Sequence, residues 1–212
     1  MEKKNLETTL YVLVILTLAV TAFNQYQIYN VSGMVGMKSV SFSESSASGS
    51  SGNAVDISQY LPKGIPPIYG SELKVSFDDP VGGLSILGAM DFDLNGENPS
   101  GLSMKLSDLT DEQKARYIKI GSSIACEYCC GAKALVMKDG KPACGCAHSA
   151  AMRALTKYLL TKHGSEYTDE QILDQLTKWK TLFFPKQMTA KLLQQSGNTQ
   201  VSSQLPNMVG GC

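Results

Sequence analysis

Five of the chain's six cysteines and one of its two histidines lie between positions 126 and 148. They form two groups of potential ligands, separated by thirteen residues: Cys126, Cys129 and Cys130, then Cys144, Cys146 and His148. Thiolates and imidazole are the ligands that Zn²⁺ and related transition metals bind in proteins. The residue types and their spacing therefore predict a compact metal site. Because a tetrahedral site takes four ligands, at least one of the six is a spare, a bridge or a supporting group.

Several ligand sets and metals are compatible with this pattern. The favoured set is Cys126, either Cys129 or Cys130, Cys144, and either Cys146 or His148. Zinc is the favoured metal, while copper and an iron–sulfur cluster are alternatives because thiolates suit all three. The chain would then bind metal for capture, relay or a structural purpose, or would transfer electrons. A third alternative is that disulfides join the two groups, in a stapled surface protein.

The two groups differ in their expected electrostatics. Cys144 and Cys146 precede a predicted helix, whose N-terminal partial positive charge favours thiolates. The other three cysteines are predicted to lie on one side of a helix end, where the dipole disfavours thiolates: Cys126, Cys129 and Cys130. A cation would hold those three ionised, and this asymmetry favours metal over disulfides.

Helices are expected to position both groups. Capping boxes at Thr110–Gln113 and Thr168–Gln171 start two of them, and the first is predicted to run to about Cys130 and end at Gly131. A helix through Lys162 is expected to begin at Cys146 or His148. The second capping box opens a helix to about Phe184, and a shorter one follows over 186–195. The predicted core is a set of apolar positions on these helices: Tyr117, Ile120, Ile124, Leu155, Tyr158, Leu159, Ile172, Leu176, Trp179, Phe183 and Leu192.

A β-hairpin is predicted between the two ligand groups, because Asp139-Gly140 is a strong turn signal. The predicted fold class is therefore mainly α: a small helical domain over 102–195 with a helix–hairpin–helix metal site. Residues 59–101 are predicted to be a loop-rich covering segment with one short strand at Glu72–Phe77. The tail, 196–212, is predicted to be flexible.

Two other polar features of the sequence are explained more simply without a ligand or a function. Asp91, Asp93 and Asn95 match the first half of a calcium loop, but Leu102 stands where the bidentate glutamate belongs. A solvated acidic loop is therefore the preferred interpretation, with calcium as the alternative. His163 lies at a predicted helix C-terminus, where a cation is favourable without any further function.

The N-terminal region predicts a single transmembrane helix. Residues 8–29 carry no charge and are long enough to cross a bilayer of about 30 Å. Lysines in residues 1–7 predict a cytoplasmic N-terminus and an extracytoplasmic C-terminal domain. A cleaved signal peptide is the alternative. Residues 36–58 are rich in serine and glycine and predict a flexible linker.

The composition of the chain limits the classes of partner that it is expected to bind. The formal net charge is zero, which disfavours a nucleic-acid binder. Membrane lipid is the expected partner of the N-terminal helix, and the sequence identifies no protein partner. No hydrolase elbow, phosphate loop or dinucleotide fingerprint occurs, so nothing in the sequence predicts an enzyme.

The stretch from Tyr117 to Pro185 resembles a group of membrane-anchored, cysteine-rich archaeal proteins of unknown function. It contains CEYCCGAKALVMKDGKPACGCAHSAAMRALTKYLL and WKTLFFP. More distantly, the run from Pro142 to His148 is similar to the bacterial PCYCGC-motif lipoproteins, although it has only part of their cysteine run and lacks the lipoprotein cysteine. This resemblance implies an extracytoplasmic metal-binding module and no particular activity.

Overall fold

The computed structural model describes residues 60–92, 101–195 and 205–211, which all belong to one compact unit. This part of the chain is mainly helical. Its α-helices, in chain order, are α1 (Tyr69–Leu73), α2 (Pro80–Phe92), α3 (Asp111–Ser123), α4 (Ala147–Lys162), α5 (Asp169–Phe183) and α6 (Pro185–Gln195). Both capping boxes are confirmed, because Thr110 and Thr168 each accept a hydrogen bond from the backbone N–H three residues later.

The predicted helix–hairpin–helix fold class is wrong, because the described residues contain no strand. The chain does turn at Gly140, which has a φ of 83°, but a single isolated bridge between Val136 and Pro142 is all that pairs the two sides. The N–H of Met137 donates to the Lys141 carbonyl and that of Ala143 to the Leu135 carbonyl, so Pro142 lies at a position of the bridge that needs no N–H. The turn signal was therefore correct, but the pairing stops because the Leu135 N–H donates to Gly121 and Ile124 and does not continue the ladder.

Helix α3 ends at Ser123, seven residues before the predicted end at Cys130. Ile124 already has an extended backbone, with φ −137° and ψ 149°. The reason lies in the returning chain, since the backbone N–H of Leu135 donates to the carbonyls of Gly121 (2.8 Å) and Ile124 (3.0 Å). A continuing helix would need the Gly121 carbonyl for its own ladder. The first three cysteines therefore lie in a loop, and not on one helix face.

Helix α4 is the centre of the domain, since every residue from His148 to Leu160 is buried. A helix that is buried all round needs neighbours on several sides. Helix α2 is one of them, so the expectation of a loop-rich covering segment over 59–101 does not hold for its described part. Gly83 of α2 lies against the Trp179 ring of α5, where an added Cβ would meet ring carbons at 2.4 Å.

The predicted core is largely confirmed. Apart from two positions its members are buried; Ile124 is half-buried and Leu192 is exposed. The predicted strand at Glu72–Phe77 is absent, because Glu72 belongs to α1 and the residues after Leu73 form turns.

The predicted membrane segment, residues 8–29, and the linker, residues 36–58, lie outside the described residues. Across the ranges that are described, no helix combines the length and the apolar character that crossing a membrane requires.

Candidate metal centre

Four of the predicted ligands converge at the N-terminal end of α4. Their ligand atoms, the Sγ atoms of Cys126, Cys129 and Cys146 and a ring nitrogen of His148, all lie within 4.8 Å of one another. Cys126 and Cys129 belong to the loop after α3, Cys146 is the N-cap of α4, and His148 is in its first turn. Cys126 and His148 are buried, whereas Cys129 and Cys146 are half-buried. The cluster therefore has a closed side and a side that solvent reaches.

The His148 ring is fixed in one orientation. Its Nε2 lies 2.7 Å from the carbonyl oxygen of Val209, which is an acceptor, so Nε2 carries the proton and donates it. The ring packs against Phe183 and Phe184, with centroid distances of 5.3 and 4.7 Å. Its Nδ1 is buried and has no hydrogen-bond partner among the described residues. The hydrogen bond to Val209 thus leaves the Nδ1 lone pair available to a ligand.

The Sγ atoms of Cys126 and Cys146 lie 3.8 Å apart, within hydrogen-bonding distance for sulfur. The Sγ of Cys146 also accepts a hydrogen bond from the backbone N–H of Ser149 at 3.4 Å, because the amides in the first turn of α4 point towards the N-cap. The Cys126 thiol, and after it the neighbouring His148 and Ser149, lower the pKa of Cys146 to about 3, although burial opposes the shift. The same contact with Cys146, reinforced by burial, raises the pKa of Cys126. The proton of the pair therefore resides on Cys126.

The pKa shifts of Cys146 and Cys126 have the predicted directions, but the chief cause of both is the contact between the two sulfurs, and Cys144, predicted to be a thiolate, lies in a disulfide. The pKa of Cys146 was expected to be low at a helix N-terminus, and it is. Cys126 was expected to resist ionisation because of a helix C-terminal dipole, but α3 ends before it. Its raised pKa arises instead from the hydrogen bond to Cys146 and from burial.

The loop that carries Cys126 and Cys129 is held in an unusual conformation. Glu127 has a positive φ of 60°, and the N–H of Tyr128 donates to the Cys126 carbonyl at 2.7 Å, which closes a tight three-residue turn. Glu127 accepts a hydrogen bond from Lys180 at 2.9 Å, and the Tyr128 ring packs on Phe184 at 5.4 Å. Backbone conformations of this kind persist only where the surroundings enforce them. Here α5 and the residue after it hold the two cysteines beside His148.

The other two predicted ligands form a disulfide, Cys130–Cys144. This is one of the pairings that the disulfide alternative proposed. Cys129 is also disulfide-bonded in this structure, whereas Cys126 and Cys146 are free thiols. The ligand atom of Cys146 lies within 4.8 Å of both sulfurs of the Cys130–Cys144 disulfide. Cys146 is thus shared between the His148 cluster and the disulfide.

The acidic motif has a structural role at its one described position. Asp91, at the end of α2, forms ion pairs with Arg153 and Lys157, both at 2.7 Å. Arg153 also donates to the carbonyl of Cys144 at 2.8 Å. Asp91 is therefore engaged by two cations and positions the segment before Cys146, which does not fit the calcium alternative. Asp93 and Asn95 lie outside the described residues.

Sequence reasoning missed the tail's part in the site. Residues 205–211 were expected to be loose, yet Val209 donates its N–H to the Phe183 carbonyl at 2.9 Å and accepts from His148 through its own carbonyl. Backbone atoms carry no signal in the residue types, and so nothing in the sequence indicated this contact. Ser149, which is buried beside the two thiols and donates its backbone N–H to Cys146, was also missed.

Comparison with protein-family models, with curated proteins and with solved structures finds no match for this chain.

Proposed function

We propose that this chain is a metal-binding protein whose site holds a transition metal, with Zn²⁺ favoured. Cys126, Cys146 and His148 can bind the ion without prior reduction, because both cysteines are free thiols. Cys129 is the fourth ligand once its disulfide is reduced. The observation that carries the proposal is the buried, unpartnered Nδ1 of His148, which lies among cysteine sulfurs.

An unpartnered buried nitrogen is unusual enough to require an explanation. Most buried polar atoms in folded proteins have a hydrogen-bond partner, and leaving one without costs about 1–3 kcal/mol. Metal-bound histidines typically donate their other ring nitrogen to a carbonyl or carboxylate, which fixes the tautomer. His148 has this arrangement already, with Val209 as the acceptor. A cation at Nδ1 would satisfy the remaining nitrogen.

The spacing of the sulfurs supports the same conclusion. With Zn–S bonds of about 2.3 Å, two thiolates on a tetrahedral zinc ion lie about 3.8 Å apart. The Sγ atoms of Cys126 and Cys146 are separated by 3.8 Å. The ion would take the place of the proton that these two cysteines now share, and both would bind as thiolates.

Reversible metal capture fits the surroundings better than a permanent structural role. A hydrophobic core with members from each of the helices α1 to α6 packs them together, and Cys126 is the one cysteine among its buried members. The half-buried sulfurs of Cys129 and Cys146 offer the ion a route to solvent. The fourth ligand is present only after the disulfide of Cys129 is reduced, so the affinity of the site depends on the redox state of Cys129.

The test compares the two histidines of the chain. The reduced full chain is loaded with Zn²⁺, dialysed and analysed for zinc and free thiols, as wild type, His148→Gln and His163→Gln. We expect one zinc per wild-type chain, and X-ray absorption showing Zn–S near 2.3 Å with one Zn–N near 2.0–2.1 Å. Losing only an outer-shell partner weakens metal binding by about 10–100-fold, so losing the His148 ligand should exceed about 100-fold.

His163→Gln is the matched control, because His163 lies at the opposite end of α4 and contacts carboxylates instead of sulfurs. It should bind zinc as the wild type does. A zinc-to-chain ratio well below one with intact thiols would contradict the proposal, as would wild-type affinity in His148→Gln.

A further inference from the structure

Cys146 is a free thiol beside a disulfide. Its Sγ lies within 4.8 Å of the Sγ atoms of both Cys130 and Cys144. Cys130 is exposed and Cys146 is half-buried, so the three sulfurs are not sealed in the core. Thiol–disulfide exchange requires a free cysteine sulfur close to a disulfide sulfur, and this arrangement places both within one chain.

The backbone favours one direction of attack. The N–H of Cys146 donates to the Sγ of Cys144 at 3.5 Å. If the attacking sulfur reaches Cys130, Cys144 is the leaving thiolate, and this N–H already points at the sulfur on which negative charge would develop. The carbonyl of Cys144 is held by Arg153 at 2.8 Å, so the leaving residue stays in place.

From this geometry we propose a second activity: intramolecular thiol–disulfide exchange, in which Cys146 attacks the Cys130–Cys144 disulfide. The Cys146 thiolate forms a bond to Cys130 Sγ, the Cys130–Cys144 bond breaks, and Cys144 leaves as a thiolate. One disulfide and one thiolate are present before and after, so the step consumes no oxidant or reductant. The chain then alternates between a Cys130–Cys144 and a Cys130–Cys146 disulfide.

Exchange has a consequence that rests on the proposed metal site. Cys146 can bind a metal ion only while it is outside a disulfide, so the Cys130–Cys146 form lacks one ligand of the His148 cluster. Metal binding and exchange therefore compete for the same sulfur. Saturation with Zn²⁺ should return the chain to the Cys130–Cys144 form.

The test locates the free thiol by differential alkylation. The oxidised full chain, freed of metal with a chelator, is quenched in acid and denaturant, and free thiols are alkylated with one reagent. Disulfides are then reduced and alkylated with a second. Fragment ions of the peptide that contains Cys144 and Cys146 show which of them carried the free thiol. We expect the first label on Cys144 in at least about one tenth of the chains, since exchange between similar disulfides is nearly balanced.

Cys146→Ser removes the attacking sulfur and keeps the helix start, because serine is itself a favoured N-cap residue. Helical circular dichroism should be unchanged, and the first label should disappear from Cys144. Label confined to Cys146 in the wild type would overturn the proposal, and so would persistent first label on Cys144 in Cys146→Ser.

A repeat with saturating Zn²⁺ separates the two proposals. Labelling of Cys144 that Zn²⁺ suppresses supports both. Labelling that Zn²⁺ does not change supports exchange and contradicts competition for Cys146. Zinc binding without any labelling of Cys144 supports the metal site and overturns exchange.

Discussion

Helix α4 carries two buried polar clusters that differ in how completely their atoms are paired. In the ionic cluster, Arg153 binds Asp91 through Nε and Nη2 at 2.9 and 2.7 Å and donates to the Cys144 carbonyl through Nη1. Lys157 binds the other oxygen of Asp91 at 2.7 Å and donates to the carbonyl of Met104. Each charged group of this cluster has a partner of opposite charge.

The second cluster consists of Cys146 and His148 at the start of α4 and Cys126 from the loop after α3, and it is not paired in this way. One proton is shared between two thiols, and one ring nitrogen has no partner among the described residues. Burying a polar group is costly unless it is satisfied. The polar groups of the ionic cluster are therefore fully paired without a ligand, whereas those of the Cys/His cluster can accept a cation.

The largest expected effect comes from breaking the ionic cluster. Asp91→Asn leaves the buried Arg153 and Lys157 without their anion, and removing one partner of a buried ion pair destabilises a protein by about 3–5 kcal/mol. Urea unfolding of the full chain should show this loss as a lower midpoint. Asp139→Asn is the control, because its pair with Lys141 is exposed and screened by solvent, so its loss should leave the midpoint close to that of the wild type. Equal losses for the two variants would mean that the ionic cluster is not what stabilises the helix α2–α4 contact.

The proton shared by the thiols gives the next largest effect. Because its pKa is raised, Cys126 still holds its proton near neutral pH, whereas Cys146 is already a thiolate. Zn²⁺ must displace the Cys126 proton, so binding releases at least one proton and affinity should rise about tenfold or more per pH unit between pH 7.5 and 9. Calorimetric titrations in two buffers with different ionisation enthalpies measure the proton count. A pH-independent affinity, with no proton released, would refute the assignment of the shared proton.

Most of the site could be predicted from the sequence because its ligands are recognisable residue types. The cysteine spacing indicated the metal candidates, and the helix through Lys162 was expected to begin at Cys146 or His148, which agrees with Cys146 as its N-cap. The helix end before Cys126 could not be predicted, because it depends on Leu135 returning to cap α3 from twelve residues beyond its end. Tertiary hydrogen bonds of this kind override local helix propensity.

The sequence also could not show which of the six candidate ligands form a disulfide and which lie together beside His148. Cys130 and Cys144 pair with each other, while Cys126 and Cys146 face His148, and no spacing rule separates these outcomes. The hairpin prediction failed although the turn at Gly140 formed, because the Leu135 N–H caps α3 and is not available to extend the pairing beyond a single bridge. Helix α2 was missed because Gly82 and Gly83 lower helix propensity, although Gly83 is required against Trp179.

The smallest expected effect on stability comes from His163, which forms ion pairs with two glutamates at the C-terminal end of α4. His163 contacts Glu166 at 2.9 Å and Glu72 at 2.8 Å, and both glutamates are partly exposed. Burial opposes the charged ring, but the two carboxylates outweigh it and raise the pKa of His163. A raised folded-state pKa means that the stabilisation is fully present below the unfolded pKa of about 6.5 and is lost as pH rises through the folded value. His163→Gln should therefore cost up to about 1 kcal/mol at pH 5.5 and less at pH 9, measured by urea unfolding at both values. Glu166→Gln should reproduce part of this pH dependence, and a His163→Gln deficit that grew towards pH 9 would contradict the assigned pairing.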